Sequence, residues 1–228
     1  EPARTMRDAA QALSHSAASG ESDLSGTVRV TSSVFVAHHI LPRIIAELRE
    51  TMPEIQVELA ASDMTENLLF GEADIAVRMF RPTQLDIVAK HVGDVQLALF
   101  GAHSYIQRRG RPSTPEEVVE HDIIGYDRNE AMIRGFHEAG MEVGPEFFPV
   151  RCDNNTVVWE LVRAGAGLGF GMERAGREDP LLTQIDFGIE IPRLEVWLAA
   201  HERVRRSPRV DAVWSILSDR LSEVCIRD

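Results

Sequence analysis

The sequence predicts an α/β protein of two lobes. Three observations carry this. Strand and helix patterns alternate from Gly26 onward; one long extended segment at residues 86–101 interrupts them before the alternation restarts; and a last strand and helix after residue 193 are placed to return to the first lobe.

Residues 3–17 put Met6, Ala10, Leu13 and Ala17 at helical spacing, then dissolve into Ser19-Gly20-Glu21-Ser22. Periodicity alone weighs helix and frayed tail evenly there, and so short a helix needs something to lean on. Thr27-Val28-Arg29-Val30-Thr31 alternates as a strand, and Ser32-Ser33 follows. Leu41, Ile44, Ile45, Leu48 and Met52 form a helical stripe ended by Pro53. Ile55, Val57 and Leu59 alternate again. Asp63 and Glu66 make a capping-box start for a helix carrying Leu68 and Leu69, and Ala73–Val77 reads as a buried strand. That order predicts a parallel sheet with right-handed crossovers. Residues 86–101 are extended and broken only by Gly93-Asp94. Thr114-Pro115-Glu116-Glu117 then opens a helix with cap, N1 proline and capping-box Glu. Ile123–Tyr126 is a short strand, residues 130–139 a helix up to Gly140, Phe147 to Cys152 a strand, Thr156 to Ala164 a helix and Leu168 to Gly171 a strand. Leu194–Ala200 is the closing strand. The final helix starts at Ser207-Pro208 and presents Val210, Val213, Trp214, Leu217, Leu221 and Val224 as one stripe.

The composition, 44% hydrophobic and 26% charged, is that of a folded globular protein, and no apolar run approaches the ~18 residues a membrane helix needs. Thirty-six acids against 24 bases give a net charge of −12, which repels phosphate backbones. Lys90 is the only lysine, a bias with no functional reading. Two cysteines, Cys152 and Cys225, are too few for a disulfide framework, and reduced thiols are expected. Glu1–Met6 joins no basic segment to an apolar run, so a secretory leader is not expected; the start without an initiator Met raises the expectation of further chain upstream.

Ligands of open α/β sheets sit beyond the carboxyl ends of strands. Four polar sets fall at such ends. Ser32-Ser33 stands between a strand and a helix, where hydroxyls cap and free N–H groups attract anions. Arg78 follows the 73–77 strand, and Tyr126-Asp127-Arg128 follows another. Asp153-Asn154-Asn155-Thr156 lies at a third junction, read as again offering exposed amide donors. Each set alone is ordinary turn chemistry. Together, two arginines and two helix N-termini favour a carboxylate or other small anion, while Asp127 points to an amine or hydroxyl on the same ligand unless Arg128 neutralises it.

The run Gly165-Ala166-Gly167-Leu168-Gly169-Phe170-Gly171 is not a dinucleotide fingerprint, because it leaves a helix and enters a strand; helix capping and tight packing are expected of it. The eight histidines show no metal spacing, and the adjacent His38 and His39 point apart on a helix. No metal and no cofactor are expected. His121-Asp122 with Asp94 is the nearest thing to a catalytic grouping, and it is weak.

The motif order resembles the effector-binding region of LysR-type transcriptional regulators. The resemblance rests on Leu24–Val30, then Ile40-Leu41-Pro42 with Ile44, Leu48 and Pro53-Glu54-Ile55, then Gly71–Val77, and finally Val162–Phe170, and it covers nearly all of residues 20–225. It implies two Rossmann-like lobes of the periplasmic-binding-protein type II kind joined by a two-strand hinge. Residues 21–94 and 194–228 would be lobe I, residues 95–193 lobe II, and residues 1–20 the remnant of a linker helix. It further implies a small-molecule effector in the inter-lobe cleft, a homodimer or homotetramer in the cytoplasm without membrane contact, and DNA binding only through a winged helix-turn-helix upstream of Glu1. The family's effector contacts carry over to positions near Ser32 and Ser33, near Arg78, at Asp127 and around Asn154. Phe35, Val36 and Asp127 depart from the Thr or small polar residues common there, and Gly171–Arg174 lacks the usual proline, which implies an unfamiliar effector or a partly closed cleft.

The leading expectation is therefore a non-catalytic, ligand-sensing part of a transcription factor. A secreted solute-binding protein of the same bilobal fold is the alternative, separable by whether a helix-turn-helix pattern or an apolar leader precedes Glu1. A dehydratase- or deaminase-like enzyme on the same architecture comes third.

Overall fold

The computed structural model describes residues 24–63, 73–82 and 86–226. The amphipathic stripe at residues 3–17, the helix with Leu68 and Leu69, and Gly71-Glu72 lie outside the described residues. The described chain forms two compact units. One holds the residues up to Gly93 together with Val196–Cys225; the other holds Asp94–Glu195 and Ile226.

The first unit begins with strand β1 (Gly26–Ser32), helix α1 (Val34–His39) and helix α2 (Leu41–Thr51). The helical stripe was expected from Leu41; the structure adds a separate helix before it. Pro42, in the first turn of α2, has no N–H and crowds the carbonyl four residues back, so one helix cannot run through from Val34. Strands β2 (Ile55–Ala61), β3 (Ile75–Arg78) and β4 (Ile87–Val95) follow. β1 pairs in parallel with both β2 and β3, as the alternation predicts. All of β3 is buried, while in β2, at the sheet edge, Ile55 alone is buried and Leu59, expected on the inner face, is exposed.

Strand β4 was expected to break at Gly93-Asp94. It runs on to Val95 and stops at Gln96. Gly93 absorbs the kink at φ 137°, which its missing Cβ permits. Gln96 leaves the ladder because its carbonyl accepts from the Glu173 amide at 2.8 Å and its side chain donates to Ile191 O at 2.8 Å.

In the second unit β5 (Leu97–Ala102) leads to helices α3 (His103–Arg109) and α4 (Pro115–Val118), strand β6 (Ile124–Gly125) and helix α5 (Ala131–Glu138). The expected strand from Phe147 to Cys152 shrinks to β7 (Val150–Arg151), with Pro145–Phe147 forming a 3₁₀ turn. Pro145 and Pro149 bracket this stretch and give no N–H to a ladder. Helix α6 (Asn155–Arg163), strand β8 (Leu168–Met172), helix α7 (Glu173–Glu178) and strand β9 (Leu182–Ile185) complete the unit. β6 and β7 are parallel, but β5 pairs antiparallel with β8 on one side and β9 on the other. The parallel pairing predicted for the first unit does not extend to β5, which is fed by the extended segment from β4 and not by a crossover helix of its own.

The chain then returns through β10 (Leu194–His201), helix α8 (Glu202–Arg205) and helix α9 (Pro208–Val224). β10 inserts antiparallel beside β3, completing the order β2-β1-β3-β10-β4. Val28, Val30, Ile75, Val77 and Leu198 from the strands meet Leu41, Ile44 and Leu48 of α2 and Val213, Leu217 and Leu221 of α9 in the core, each buried. Each fully buried aliphatic side chain of this seam contributes about 1.5–3 kcal/mol to the unit's stability. Arg220 of α9 grips the Glu47 carboxylate of α2 with contacts of 2.6–2.9 Å and also reaches Glu223 at 2.5 Å.

The glycine run behaves as expected. Gly165, at φ 79°, follows the end of α6, with its N–H on Val162 O and the Ala166 N–H on Leu161 O, a Schellman turn. A Cβ on Gly169 would lie 2.5 Å from Val162, and one on Gly171 would lie 2.2 Å from Trp159.

Candidate functional site

Parallel registration sets the candidate groups level. In the first unit Ser32 of β1 aligns with Val77 of β3, so Ser33 and Arg78, each one residue further on, stand at neighbouring strand ends. Ser32 is fully buried, its Oγ donating to Ser33 O at 3.1 Å and its carbonyl accepting from Ser62 N at 2.9 Å. Ser33 caps α1, its Oγ accepting from Val36 N at 3.4 Å. Arg78 is only 7% exposed, and its Nη2 donates to Thr31 Oγ1 at 3.3 Å. A guanidinium this deep keeps its charge, and its planar fork suits a carboxylate. Beside it in register, Trp197 of β10 lies under the Arg81 guanidinium at 5.5 Å and against the His91 ring at 5.1 Å.

In the second unit Gly125 aligns with Arg151, which brings the loop after β6 against the loop after β7. Tyr126 Oη donates to Asn155 Oδ1 at 2.9 Å. Asn154 caps α6 by accepting from Thr156 N at 3.0 Å and Val157 N at 3.1 Å. The Thr156 hydroxyl oxygen is buried without a hydrogen-bond partner. Asp127 and Arg128 are exposed.

The amide donors that the sequence leaves open are largely occupied by the chain itself. Asp153 accepts from the backbone N–H of Asp127 at 3.0 Å, of Arg128 at 3.0 Å and of Asn129 at 3.3 Å, and from Arg128 Nε at 3.1 Å. These bonds hold its carboxyl below the usual carboxylate range, the Arg128 backbone bond most of all. At α1 the Asp63 side chain likewise takes up a backbone amide, accepting from Val34 N at 3.0 Å. Exposed donors at the 153–156 junction are thus replaced by satisfied caps, and the Arg128 side chain pairs with Asp153. Sequence reasoning missed both roles. Asp63 had a visible signal as a capping residue, but for the helix after it and not for α1; Asp153 had none, since only the pairing of β6 with β7 brings it to residues 127–129.

Asp94 exchanges backbone hydrogen bonds with Ile226 at 2.8 and 2.9 Å. The His38 and His39 rings, expected to point apart, instead meet edge-on at 4.6 Å. Among the described residues no cluster of three His, Cys, Asp or Glu could hold a metal, and no helix is long and apolar enough to cross a membrane.

Residues 21–222 match the family described as the LysR substrate binding domain. The chain belongs to that family. The LysR assignment fixes the fold as the α/β type shared with type II periplasmic binding proteins. Among curated LysR relatives, an HTH-type transcriptional repressor of Pseudomonas aeruginosa is 26% identical over 71% of this chain and 55% of its own length. The regulator CrgA of Neisseria meningitidis is 27% identical over 44% of this chain and 34% of its own length. The chain thus spans about half or less of these curated relatives, which are named as transcriptional regulators. The CrgA regulatory domain is similar in structure, with a TM-score of 0.76 at 17% identity, covering 86% of this chain and 98% of that one. The effector binding domain of QuiR in complex with shikimate is also similar, with a TM-score of 0.68 at 11% identity, covering 89% of this chain and all of that one.

Proposed function

We propose that this chain is the ligand-sensing part of a DNA-binding regulator, taking a small anionic metabolite, most simply a carboxylate, at its strand ends. Ser32, Ser33 and Arg78 serve in the first unit; Tyr126, Asp127, Arg128, Asn154, Asn155 and Thr156 serve in the second. The observation that carries this reading is the Arg78 guanidinium, nearly buried at a parallel strand end beside a serine cap. The satisfied caps of the second unit shift the anionic contact toward Arg78 and leave hydroxyl and amide recognition to Asn155 and Thr156. QuiR, similar in fold, is solved with a small molecule, shikimate, which supports a small-molecule effector here. The protein acts without catalysis, in the cytoplasm, as a homodimer or homotetramer, and reaches DNA through a winged helix-turn-helix outside these residues. Effector binding shifts the balance between subunit arrangements by its differential affinity for them.

The test is calorimetry of a panel of small carboxylates against the wild type and Arg78→Met. Losing one partner of a buried charged contact costs about 2–5 kcal/mol, a loss of about thirtyfold or more in affinity. The proposal fails if an acid binds both proteins equally, or if the full-length regulator answers its effector unchanged with Ser33→Ala and Arg78→Ala.

A further inference from the structure

Tyr105 of α3 lies wholly inside the second unit, 0% exposed, and its hydroxyl meets three groups of one dipeptide. It accepts the Asp122 backbone N–H at 3.0 Å, lies 3.1 Å from His121 Nδ1, and has Asp122 Oδ2 at 3.5 Å. A phenol has one proton to give. With the Asp122 amide fixed as donor, that proton goes to whichever remaining partner accepts it. A neutral imidazole protonated on Nε2 offers Nδ1, the nearer group. A doubly protonated imidazolium offers no acceptor, so the hydroxyl must receive Nδ1–H and turn its own proton to Asp122 Oδ2, exchanging an acceptor at 3.1 Å for a weaker one at 3.5 Å.

The same dipeptide pins its neighbours. Asp122 O accepts from Leu168 N at 2.8 Å, and Gly167 packs so closely that a Cβ there would lie 2.4 Å from Asp122 O. Arg108, its guanidinium 5.4 Å from the Tyr105 ring, donates to Gly165 O at 2.9 Å. Helix α3, the lead into β6 and the turn between α6 and β8 are therefore tied around this one hydroxyl.

We propose that Tyr105, His121 and Asp122 form a proton-operated latch: the neutral imidazole holds the Tyr105 hydroxyl and keeps the α6–β8 turn closed, and protonation on acidification loosens that turn. The charges facing His121 are Arg109 from α3, which opposes an imidazolium, and Asp122, Glu117 and Glu120, which favour one. Arg109 Nε also lies 4.0 Å from Asp122 Oδ2. Burial, then Arg109, outweighs the acids and holds His121 below its ordinary value. A group depressed in the folded state supports structure above its free value of about 6.5, and that support is lost as pH falls toward its folded value. The latch is thus shut at neutral pH and gives way on the acid side. It does not depend on the identity of any effector.

Hydrogen exchange of the 228-residue chain between about pH 8 and 5 tests it, read as protection factors so that the intrinsic pH dependence of exchange cancels. Protection at Leu168 is expected to fall below about pH 6.5, by up to about tenfold per pH unit, and then level off. Val30, in the first unit, stays flat. His121→Gln, which still offers an acceptor but does not titrate, gives flat protection at Leu168. Tyr105→Phe lets His121 titrate without Leu168 following. The latch is overturned if wild type and His121→Gln show the same pH dependence, or if Val30 falls in step with Leu168. It is equally overturned if ring-nitrogen shifts of the wild type show Nδ1 protonated at neutral pH, a reading that needs no variant to fold.

Discussion

Asp153 and Asp74 are two carboxylates driven in opposite directions by their surroundings. Asp153, holding three consecutive amides, is depressed, so its bonds stabilise the fold above the free value of about 3.9 and are lost as pH drops through the folded value. Urea midpoints measured against pH should therefore show a steeper acid limb below about pH 4 in the wild type than in Asp153→Asn. Identical limbs would mean that the loop holds no charge-dependent bonds. Asp74 is raised, chiefly by burial, although its Oδ2 accepts from Arg29 N at 2.7 Å. Asp74→Asn keeps an acceptor for that amide and removes the burial cost of a charge, so its urea midpoint at neutral pH should equal or exceed the wild type's, and a clear fall would refute this account. Ser33 was legible in the sequence because a cap acts three residues away; Asp153 was not, because its partners stand about 25 residues away across a strand pairing.

Helices and strands with clean periodicity were legible: β1, β2, α2, α6 and α9 lie within a few residues of their expected bounds. Among the short elements β3, α4 and β6 were legible from a buried run or a capping signal, but others were not. Helices α3, α7 and α8 and strand β9 carry four to seven residues each, and tertiary contacts define them. The glycines show how packing decides between like residues. Gly167→Ala would drive a methyl into Asp122 O, a backbone atom that cannot swing aside, whereas Gly135 in α5 has nothing within 4 Å. Thermal denaturation should show Gly167→Ala destabilised by about 1–3 kcal/mol or more and Gly135→Ala stabilised by up to about 1 kcal/mol. The reverse order would mean that the turn beside Asp122 yields more readily than its contacts imply.

For the molecule as a whole, the alternation of strands and helices foretold the architecture, while the antiparallel sheet around β5 did not follow from it. The net charge of −12 sets a further expectation: at physiological salt this chain by itself should not be retained with random duplex DNA in filter binding, and retention would place phosphate contacts within it. The path of the chain also has a temporal consequence. The second unit is nearly one uninterrupted stretch, but the first needs β10 between β3 and β4, and Arg220 to reach Glu47, 173 positions earlier. On a ribosome the earlier-made half must wait, unfinished, while the later-made half closes first. Nascent chains halted with everything up to Glu195 outside the exit tunnel should yield a protease-resistant Asp94–Glu195 core beside a digestible stretch before it. The opening strands are the first to be synthesised and the last to be secured.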